Sequence, residues 1–172
     1  LVEPTDDGVG QVFSTLGGGG MYVTSVSGRL DASRFEENDA AFGAGAYIAG
    51  GSEDFTVSNS LFARSNGTGS LYFNASSPHV VNCTVAEPGG FLLPTFSTFG
   101  ALPVLKNTVL QGTPGGSGEA RLEYCLVEGS AGVGIVGEGT IFGDVDLDPD
   151  NDYTPRPGSL AIDAGNNLAV PE

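Results

Sequence analysis

Alternating aspartates near the C-terminus are the side chains in this sequence best suited to bind a metal ion. They are Asp144, Asp146, Asp148, Asp150 and Asp152. Hard cations such as calcium prefer several carboxylate and carbonyl oxygens, which this segment offers. The segment begins like an EF-hand loop, but Pro149 stands where that loop requires glycine and Pro155 where it requires glutamate. The aspartates are therefore predicted to form either a looser calcium site or a solvated acidic loop.

The only histidine, His79, lies four positions before Cys83, and the two residues could together serve nucleophilic catalysis. A cysteine nucleophile needs a base within hydrogen-bonding reach and a third group that orients the base. The sequence offers no such third group, so it favours His79 as a turn residue and Cys83 as a small buried group. No catalytic residue is predicted, and we expect that the protein is not an enzyme.

Two Asn-x-Ser/Thr patterns are candidate glycosylation sites, at Asn66 and Asn74. Both are predicted to lie at turns. A third pattern begins at Asn82 and is interpreted as structural, because Asn82 belongs to a repeated strand pattern.

That repeated pattern is a short segment with apolar ends and a polar centre. Asn59, Asn82 and Asn107 occupy the centre of segments 57–62, 80–85 and 105–110, and looser copies lie at 30–35 and 122–127. The first positions of successive copies differ by 27, 23, 25 and 17 residues. A unit that recurs at this interval indicates a solenoid.

A second pattern, a glycine turn followed by a short alternating strand, precedes four of these copies, at 19–23, 43–48, 67–73 and 89–93. Each repeat therefore reads turn, strand, turn, strand, and equivalent strands are expected to stack in parallel about 4.8 Å apart. Alternation then predicts which side chains form inward columns. The predicted columns are Met21, Ala46, Leu71 and Phe91; Val23, Ile48, Phe73 and Leu93; Leu30, Val57, Val80, Leu105 and Leu122; and Phe35, Phe62, Val85, Leu110 and Val127.

Stacking also assigns roles to the polar residues. Asn59, Asn82 and Asn107 are predicted to form a structural hydrogen-bonded ladder. Cys83 and Cys125 would lie two coils apart, about 9.6 Å, whereas a disulfide needs Cα atoms within about 7 Å. Two unpaired, buried cysteines are therefore expected.

Tyrosines form a predicted row on the outside of the first strands: Tyr22, Tyr47 and Tyr72 alternate with the inward column. The row would continue with Leu92 and then Gly134. Aromatic rings on neighbouring strands stabilise a sheet by packing. They also offer a contact area with a polar tip, suited to sugar rings or a partner chain. Tyr22, Tyr47 and Tyr72 are therefore candidate ligand-binding residues.

The chain divides into three parts by composition. Residues 1–16 form an irregular lead-in, residues 17–143 contain the coils, and residues 144–172 form an acidic C-terminal cap or tail. Residues 111–121 contain no alternating strand and predict a tightened coil with a glycine loop, after which the strand pattern returns at 132–136. Solenoid ends need an atypical segment to cover the last core residues.

Composition excludes several partners. The chain has 28 glycines, 16% charged residues and a net charge of −15, with six basic residues. Nucleic acid and anionic membrane surfaces both require neutralising Lys and Arg, so neither is expected as a partner. No apolar run approaches the length that would cross a membrane.

Three features together resemble a known group: the Gly-Gly-apolar-Tyr strands, the Asn-Cys-Thr strand, and the ending Asp-Tyr-Thr-Pro-Arg-Pro-Gly-Ser-Leu-Ala-Ile-Asp-Ala-Gly-Asn at 152–166. Residues 17–166 are similar to right-handed parallel β-helix repeat proteins of bacterial surfaces, including the "choice-of-anchor Q" type. Pro155 and Leu160 depart from the terminal motif of that type, which has leucine and proline there. The resemblance implies an all-β, right-handed parallel β-helix that is secreted or surface-displayed, often within a longer chain.

The fold class expected is thus an all-β, right-handed parallel β-helix of about five coils with an acidic C-terminal cap. The function expected is that of an extracellular or cell-surface structural or adhesive module. Such a module would associate with itself or with neighbouring domains through its open coil ends, which invite a further strand. No cofactor is expected apart from calcium at the aspartates. The alternative is a polysaccharide-binding or polysaccharide-cleaving β-helix protein, with a glycan as ligand.

Overall fold

The computed structural model describes residues 17–51, 53–86, 96–132, 134–162 and 164–166, which form short strands. The first sheet contains β1 (Met21–Thr24), β5 (Ala46–Ala49), β9 (Leu71–Asn74), β12 (Phe96–Phe99) and β15 (Gly115–Gly116). The second contains β2 (Gly28–Asp31), β6 (Phe55–Ser58), β10 (His79–Val81), β13 (Val104–Lys106), β16 (Ala120–Glu123) and β18 (Gly134–Val136). The third contains β3 (Arg34–Glu36), β7 (Leu61–Ala63), β11 (Thr84–Ala86), β14 (Val109–Leu110), β17 (Leu126–Val127) and β19 (Ile141–Phe142). A short pair joins β4 (Asp39–Phe42) to β8 (Asn66–Thr68), and β20 (Leu147–Asp148) pairs with β21 (Thr154–Pro155).

Parallel stacking of these strands makes the molecule a β-solenoid, which confirms the predicted fold. Within each of the three large sheets, a strand pairs in parallel with its counterparts in the coils before and after it. The first sheet is five strands deep and the other two are six deep. The number of coils therefore differs slightly from the expected five. Within the described ranges, no helical segment has the length and apolar character needed to cross a bilayer.

Inward side chains of the second and third sheets stack in the predicted columns. The second sheet pairs Leu30 with Val57, Val57 with Val80, Val80 with Leu105 and Leu105 with Leu122. The third sheet stacks Phe35, Phe62, Val85, Leu110 and Val127 in the same way. The rings of Phe35 and Phe62 are stacked, with centroids 5.0 Å apart. The alternation of apolar and polar residues is sufficient to predict these columns, because successive side chains of a strand point to opposite faces and only one face is buried.

The first sheet departs from the prediction after its third strand. Phe96, rather than Phe91, pairs with Leu71, and Thr98, rather than Leu93, pairs with Phe73. Phe91 and Leu93 lie outside the described residues. A connecting loop accepts extra residues at little entropic cost. Glycine spacing therefore did not determine which apolar run enters the sheet.

The fifth coil also differs from the prediction. Gly115 and Gly116 supply the fifth strand of the first sheet, from within the predicted glycine loop. The strand Gly134–Val136 joins the second sheet instead, where Val136 pairs with Leu122. Gly116 has φ +111°, and a Cβ there would collide with the carbonyl oxygen of Thr98. The two backbones approach so closely that only glycine fits, which a pattern of apolar residues does not indicate.

One residue in each coil turns the chain from the second sheet into the third, with a left-handed backbone. These residues are Ala32 (φ 47°), Asn59 (φ 50°), Asn82 (φ 56°), Asn107 (φ 48°) and Tyr124 (φ 53°). Asparagine tolerates this conformation better than most residues because its short polar side chain bonds locally. The turn column explains why asparagine recurs at the centre of the repeated pattern.

The acidic C-terminal segment lies along the side of the solenoid. Its hairpin, β20 and β21, packs on the outer face of the third sheet, where Val145, Leu147 and Tyr153 form a second buried cluster with Ala63, Ala86 and Leu126. The segment predicted as an end cap therefore covers a lateral face. The last members of the two inward columns, Val136 and Phe142, remain 50% and 40% exposed.

Cys83 and Cys125 are both free and buried, as predicted. The Cys83 thiol donates to the carbonyl of Val81 at 3.3 Å, and the Cys125 thiol donates to the carbonyl of Leu105 at 3.4 Å. Burial raises the pKa of Cys83 to about 12 and that of Cys125 to about 11. Both sulfurs are therefore neutral thiols at physiological pH and poor nucleophiles.

Truncating the centre of an inward column tests the packing. Leu105 is completely buried, and we expect Leu105→Ala to lower the free energy of unfolding by about 2–5 kcal/mol, because it leaves a cavity. The neighbouring Val104 points outward and is only half-buried, so Val104→Ala should cost less than about 1 kcal/mol. Denaturant unfolding of both variants measures the difference, and equal losses would contradict the assigned faces.

Thiol ionisation should couple to stability at alkaline pH. The pKa of each cysteine is higher in the folded chain than in the unfolded chain. Below pH 9.0, the ordinary pKa, both states keep the thiols protonated, and the cysteines do not change the free energy of unfolding with pH. As pH rises above that value, ionisation of the unfolded chain lowers stability until the folded pKa is reached. We expect Cys83→Ala with Cys125→Ala to lose less stability between pH 8 and pH 10 than the parent chain, in urea titrations. An identical loss in both proteins would contradict the burial argument.

Candidate functional site

The three candidate tyrosines form a stacked row on the outer face of the first sheet. Tyr22, Tyr47 and Tyr72 are in register, with ring centroids 5.2 and 5.1 Å apart and planes inclined by 13° and 15°. Burial, with a further contribution from Tyr47, raises the pKa of Tyr72. Asn74 donates a hydrogen bond to the Tyr47 hydroxyl at 2.5 Å. The row continues with Ser97 and Gly115, not with Leu92 and Gly134 as predicted, and Leu92 lies outside the described residues.

The stacking determines which parts of the rings a ligand could reach. A sugar ring packs on an exposed aromatic face, but here the faces of neighbouring tyrosines cover each other. Tyr22, 56% exposed, ends the row and has one face that no other tyrosine covers. The row thus presents ring edges and hydroxyls along its length, which suits packing of the sheet better than a sugar platform.

Asparagines of the turn column form the predicted ladder over part of its length. Asn82 Nδ2 donates to Asn59 Oδ1 at 2.6 Å, and Asn59 Nδ2 donates to Asp31 Oδ1 at 2.9 Å. Hydrogen bonds from Ser58 and Asn59, with Arg29, lower the pKa of Asp31, so the ladder ends on a carboxylate. Asn107 instead bonds the main-chain nitrogen and oxygen of Asn166, both at 2.8 Å. The ladder therefore also fastens the C-terminal segment to the solenoid.

The candidate calcium ligands have several different partners. Asp146 and Asp148 both pair with Arg156 at 3.4 Å, and Asp152 pairs with Arg34 at 2.8 Å. Asp144 accepts a hydrogen bond from the backbone of Asp146, and Asp148 accepts one from the backbone of Asp150. Among the residues with described positions, no three acidic, histidine or cysteine side chains are grouped so that they could hold a metal ion. Calcium binding by this segment stays a prediction.

All six basic side chains are engaged in ion pairs with carboxylates. Glu36 lies between Arg34 and Arg64, and Glu123 lies between Lys106 and Arg121. Hydrogen bonds from Arg34 and from Lys106 lower the pKa of Glu36 and of Glu123, respectively. Of the other two basic residues, Arg29 pairs with Asp31, and Arg156 pairs with Asp146 and Asp148 of the acidic segment. Each cation therefore faces an anion of this chain.

His79 and Cys83 lie in different environments. His79 begins β10 on the exposed outer face, and is not a turn residue as predicted, whereas Cys83 is buried.

The two candidate glycosylation sites also differ from each other. Asn66 is exposed and begins β8, while Asn74 is half-buried and ends β9 beneath Tyr47. Neither asparagine occupies the turn predicted for it, and glycosylation at either site stays a prediction.

The sequence pattern does not predict the exposed apolar surface at the C-terminal end of the solenoid. Ile135 and Val136 of β18 and Ile141 and Phe142 of β19 are all exposed at the C-terminal end of the solenoid. The sequence does predict a strand at 132–136. It does not reveal this surface because the repeat pattern places that strand in the first sheet and places the acidic segment over the end of the solenoid.

Two substitutions at Asn82 separate backbone conformation from side-chain bonding. Asn82→Ala loses the ladder bond and also places a methyl group at φ 56°, so we expect it to destabilise the fold by about 1–3 kcal/mol. Asn82→Gly loses the same bond but adopts this φ without strain. Urea unfolding should therefore find Asn82→Gly the more stable variant. The reverse order would show that the left-handed turn is not what selects asparagine.

Comparison with protein-family models finds no match, and comparisons with curated proteins and with solved structures find no similar protein either. The parallel β-helix architecture therefore rests on the strand pairing described above, and the likeness to the choice-of-anchor Q type stays a prediction.

Proposed function

We propose that this chain is a structural β-helix module of an extracellular or cell-surface protein, and that it associates end to end by stacking the first coil of a second copy on its last coil. The observation that carries the proposal is the exposed end of the core. Val136 and Phe142 continue the two inward columns, yet they are 50% and 40% exposed. A contiguous apolar surface of this kind marks an interaction site more often than an ordinary surface.

Backbone geometry supports the same proposal. Among the described strands, β18 and β19 lie at one edge of their sheets, and β2 and β3 lie at the opposite edge. An edge strand presents unpaired backbone groups that can pair with another chain. In a parallel sheet the two edges are complementary to each other and not to themselves. Contact between opposite ends would therefore be head to tail, and repetition of such a contact produces a filament.

The side chains at the two ends also match. Leu30 and Phe35 begin the inward columns and are only partly buried. Stacking a second copy in register would place its Leu30 over Val136 and its Phe35 over Phe142. Each column would then continue with residues of the same kind, because the column of Phe35 already contains a stacked phenylalanine pair. Burial of these side chains provides the driving force.

A non-catalytic role is part of the proposal. A lyase that cleaves acidic polysaccharides needs a cationic side chain near the acidic sugar of its substrate. Here every basic side chain is paired with a carboxylate of this chain. The net charge of −15 would repel a polyuronate. The His79 and Cys83 arrangement does not supply a nucleophile either, since burial raises the pKa of the thiol.

Self-association should depend on the apolar end. We expect sedimentation velocity of the full chain to show species that grow with concentration, and electron microscopy to show short rods. Phe142→Glu should abolish growth because it introduces a charge into the buried contact. Phe99→Glu is the matched control: Phe99 is 57% exposed, but it lies within the first sheet and away from both ends.

Two results would contradict the proposal. One is a wild-type chain that stays monomeric at high micromolar concentration. The other is a Phe142→Glu variant that assembles as the wild type does. A parallel screen against acidic and neutral polysaccharides tests the enzymatic alternative, which would be supported by sugar release that is lost on mutation of a single carboxylate.

A further inference from the structure

A groove runs between the turn column of the solenoid and the C-terminal segment that is fastened to it. Its volume is about 190 Å³. Asn82, Thr84, Asn107 and Tyr124 line it on the solenoid side, and Ala161 and Ala164 line it on the other side. The groove lies beside the turn between the second and third sheets and not on the tyrosine row, and its lining residue Leu126 pairs with Ile141 of the apolar end.

The ladder asparagines give the groove hydrogen-bonding groups. Asn82 Nδ2 donates to Asn59, in the preceding coil. Asn82 lines the groove, and the ladder bond uses its Nδ2, which leaves its Oδ1 as the acceptor of this amide. The described residues place no donor on this oxygen. Thr84, half-buried and the first residue of β11, adds a hydroxyl group to the lining.

Tyr124 gives the groove an apolar wall. One side of its ring packs against Gly139 of the following coil so closely that a Cβ there would collide with the ring. Tyr124 also lines the groove, next to Asn107 in the turn column. The Tyr124 hydroxyl is held by a hydrogen bond with Glu138, which raises its pKa and fixes the orientation of the ring.

The C-terminal residues that border the groove are small. Ala161, Ala164 and Gly165 lie opposite the asparagines. The paired hydrogen bonds between Asn107 and the main chain of Asn166, both 2.8 Å, hold this border in place. The described residues therefore border the space by the solenoid on one side and by this C-terminal segment on the other.

We propose that this groove binds one ring of a neutral sugar. An amide oxygen and a hydroxyl group suit the alternating hydroxyls of a sugar, and the face of Tyr124 suits its apolar C–H face. The volume corresponds to a single ring. A neutral ligand is favoured over an anionic one because the chain has a net charge of −15 and because all six basic residues are paired with carboxylates. This inference is independent of end-to-end association.

Titration of the full ¹⁵N-labelled chain with glucose, galactose and N-acetylglucosamine tests the proposal. We expect saturable shifts of the Asn82 and Asn107 side-chain amide signals with at least one sugar, at millimolar affinity, as is usual for a ligand with few contacts. Glucuronate should bind more weakly than glucose. Absence of saturation with all three neutral sugars, or tighter binding of glucuronate, would overturn the proposal.

Variants then locate the site. Ala164→Leu fills the groove and should weaken binding by about tenfold or more, whereas Thr84→Val removes only a hydroxyl and should weaken it by about three- to tenfold. Ile162→Ser, at an exposed neighbour outside the groove, should leave affinity unchanged. If Ala164→Leu perturbs the fold, the affinity of Thr84→Val alone tests whether the sugar binds in the groove. Undiminished affinity in Thr84→Val, or a loss caused equally by Tyr22→Ala, would place the sugar elsewhere.

Discussion

The left-handed turn between the second and third sheets is the constraint on which the rest of the structure depends. Five successive coils turn with φ between 47° and 56° at equivalent positions, and only asparagine or a few other residues adopt this conformation readily. Because each coil turns at the same place, the strands on both sides of the turn start in register. Register then aligns the inward columns, since a shift of one residue would move each column to the outer face.

The turn column and the C-terminal segment are mutually dependent. Asn107 leaves the ladder to bond the main chain of Asn166, while Arg34 and Arg64, from the first two coils, contact Asp152 and Tyr153. The segment therefore ties early coils to late coils along one side of the solenoid. A stack of coils otherwise has contacts only between neighbours, so a lateral connection of this kind links distant parts of the fold.

This arrangement separates the surfaces by role. The third sheet is covered by the acidic hairpin, the outer face of the first sheet carries stacked tyrosines, and the basic residues are held in ion pairs. The apolar residues at the C-terminal end and the groove beside the turn column have no such partner among the described residues. End-to-end association and sugar binding were proposed for these two surfaces, and the two proposals stand on different residues.

Local pattern alone determined the β-helix, the inward columns of the second and third sheets, the asparagine column and the two unpaired cysteines. These features depend on period-two alternation and on repetition, and both can be read from neighbouring residues. Only the tertiary structure decided that Phe96 and not Phe91 enters the first sheet, and that Gly134–Val136 belongs to the second. It also decided that the acidic segment lies along the side, because Val145, Leu147 and Tyr153 find an apolar sheet face there. Such choices depend on loop lengths and on contacts between residues far apart in sequence, for which a local pattern carries no signal.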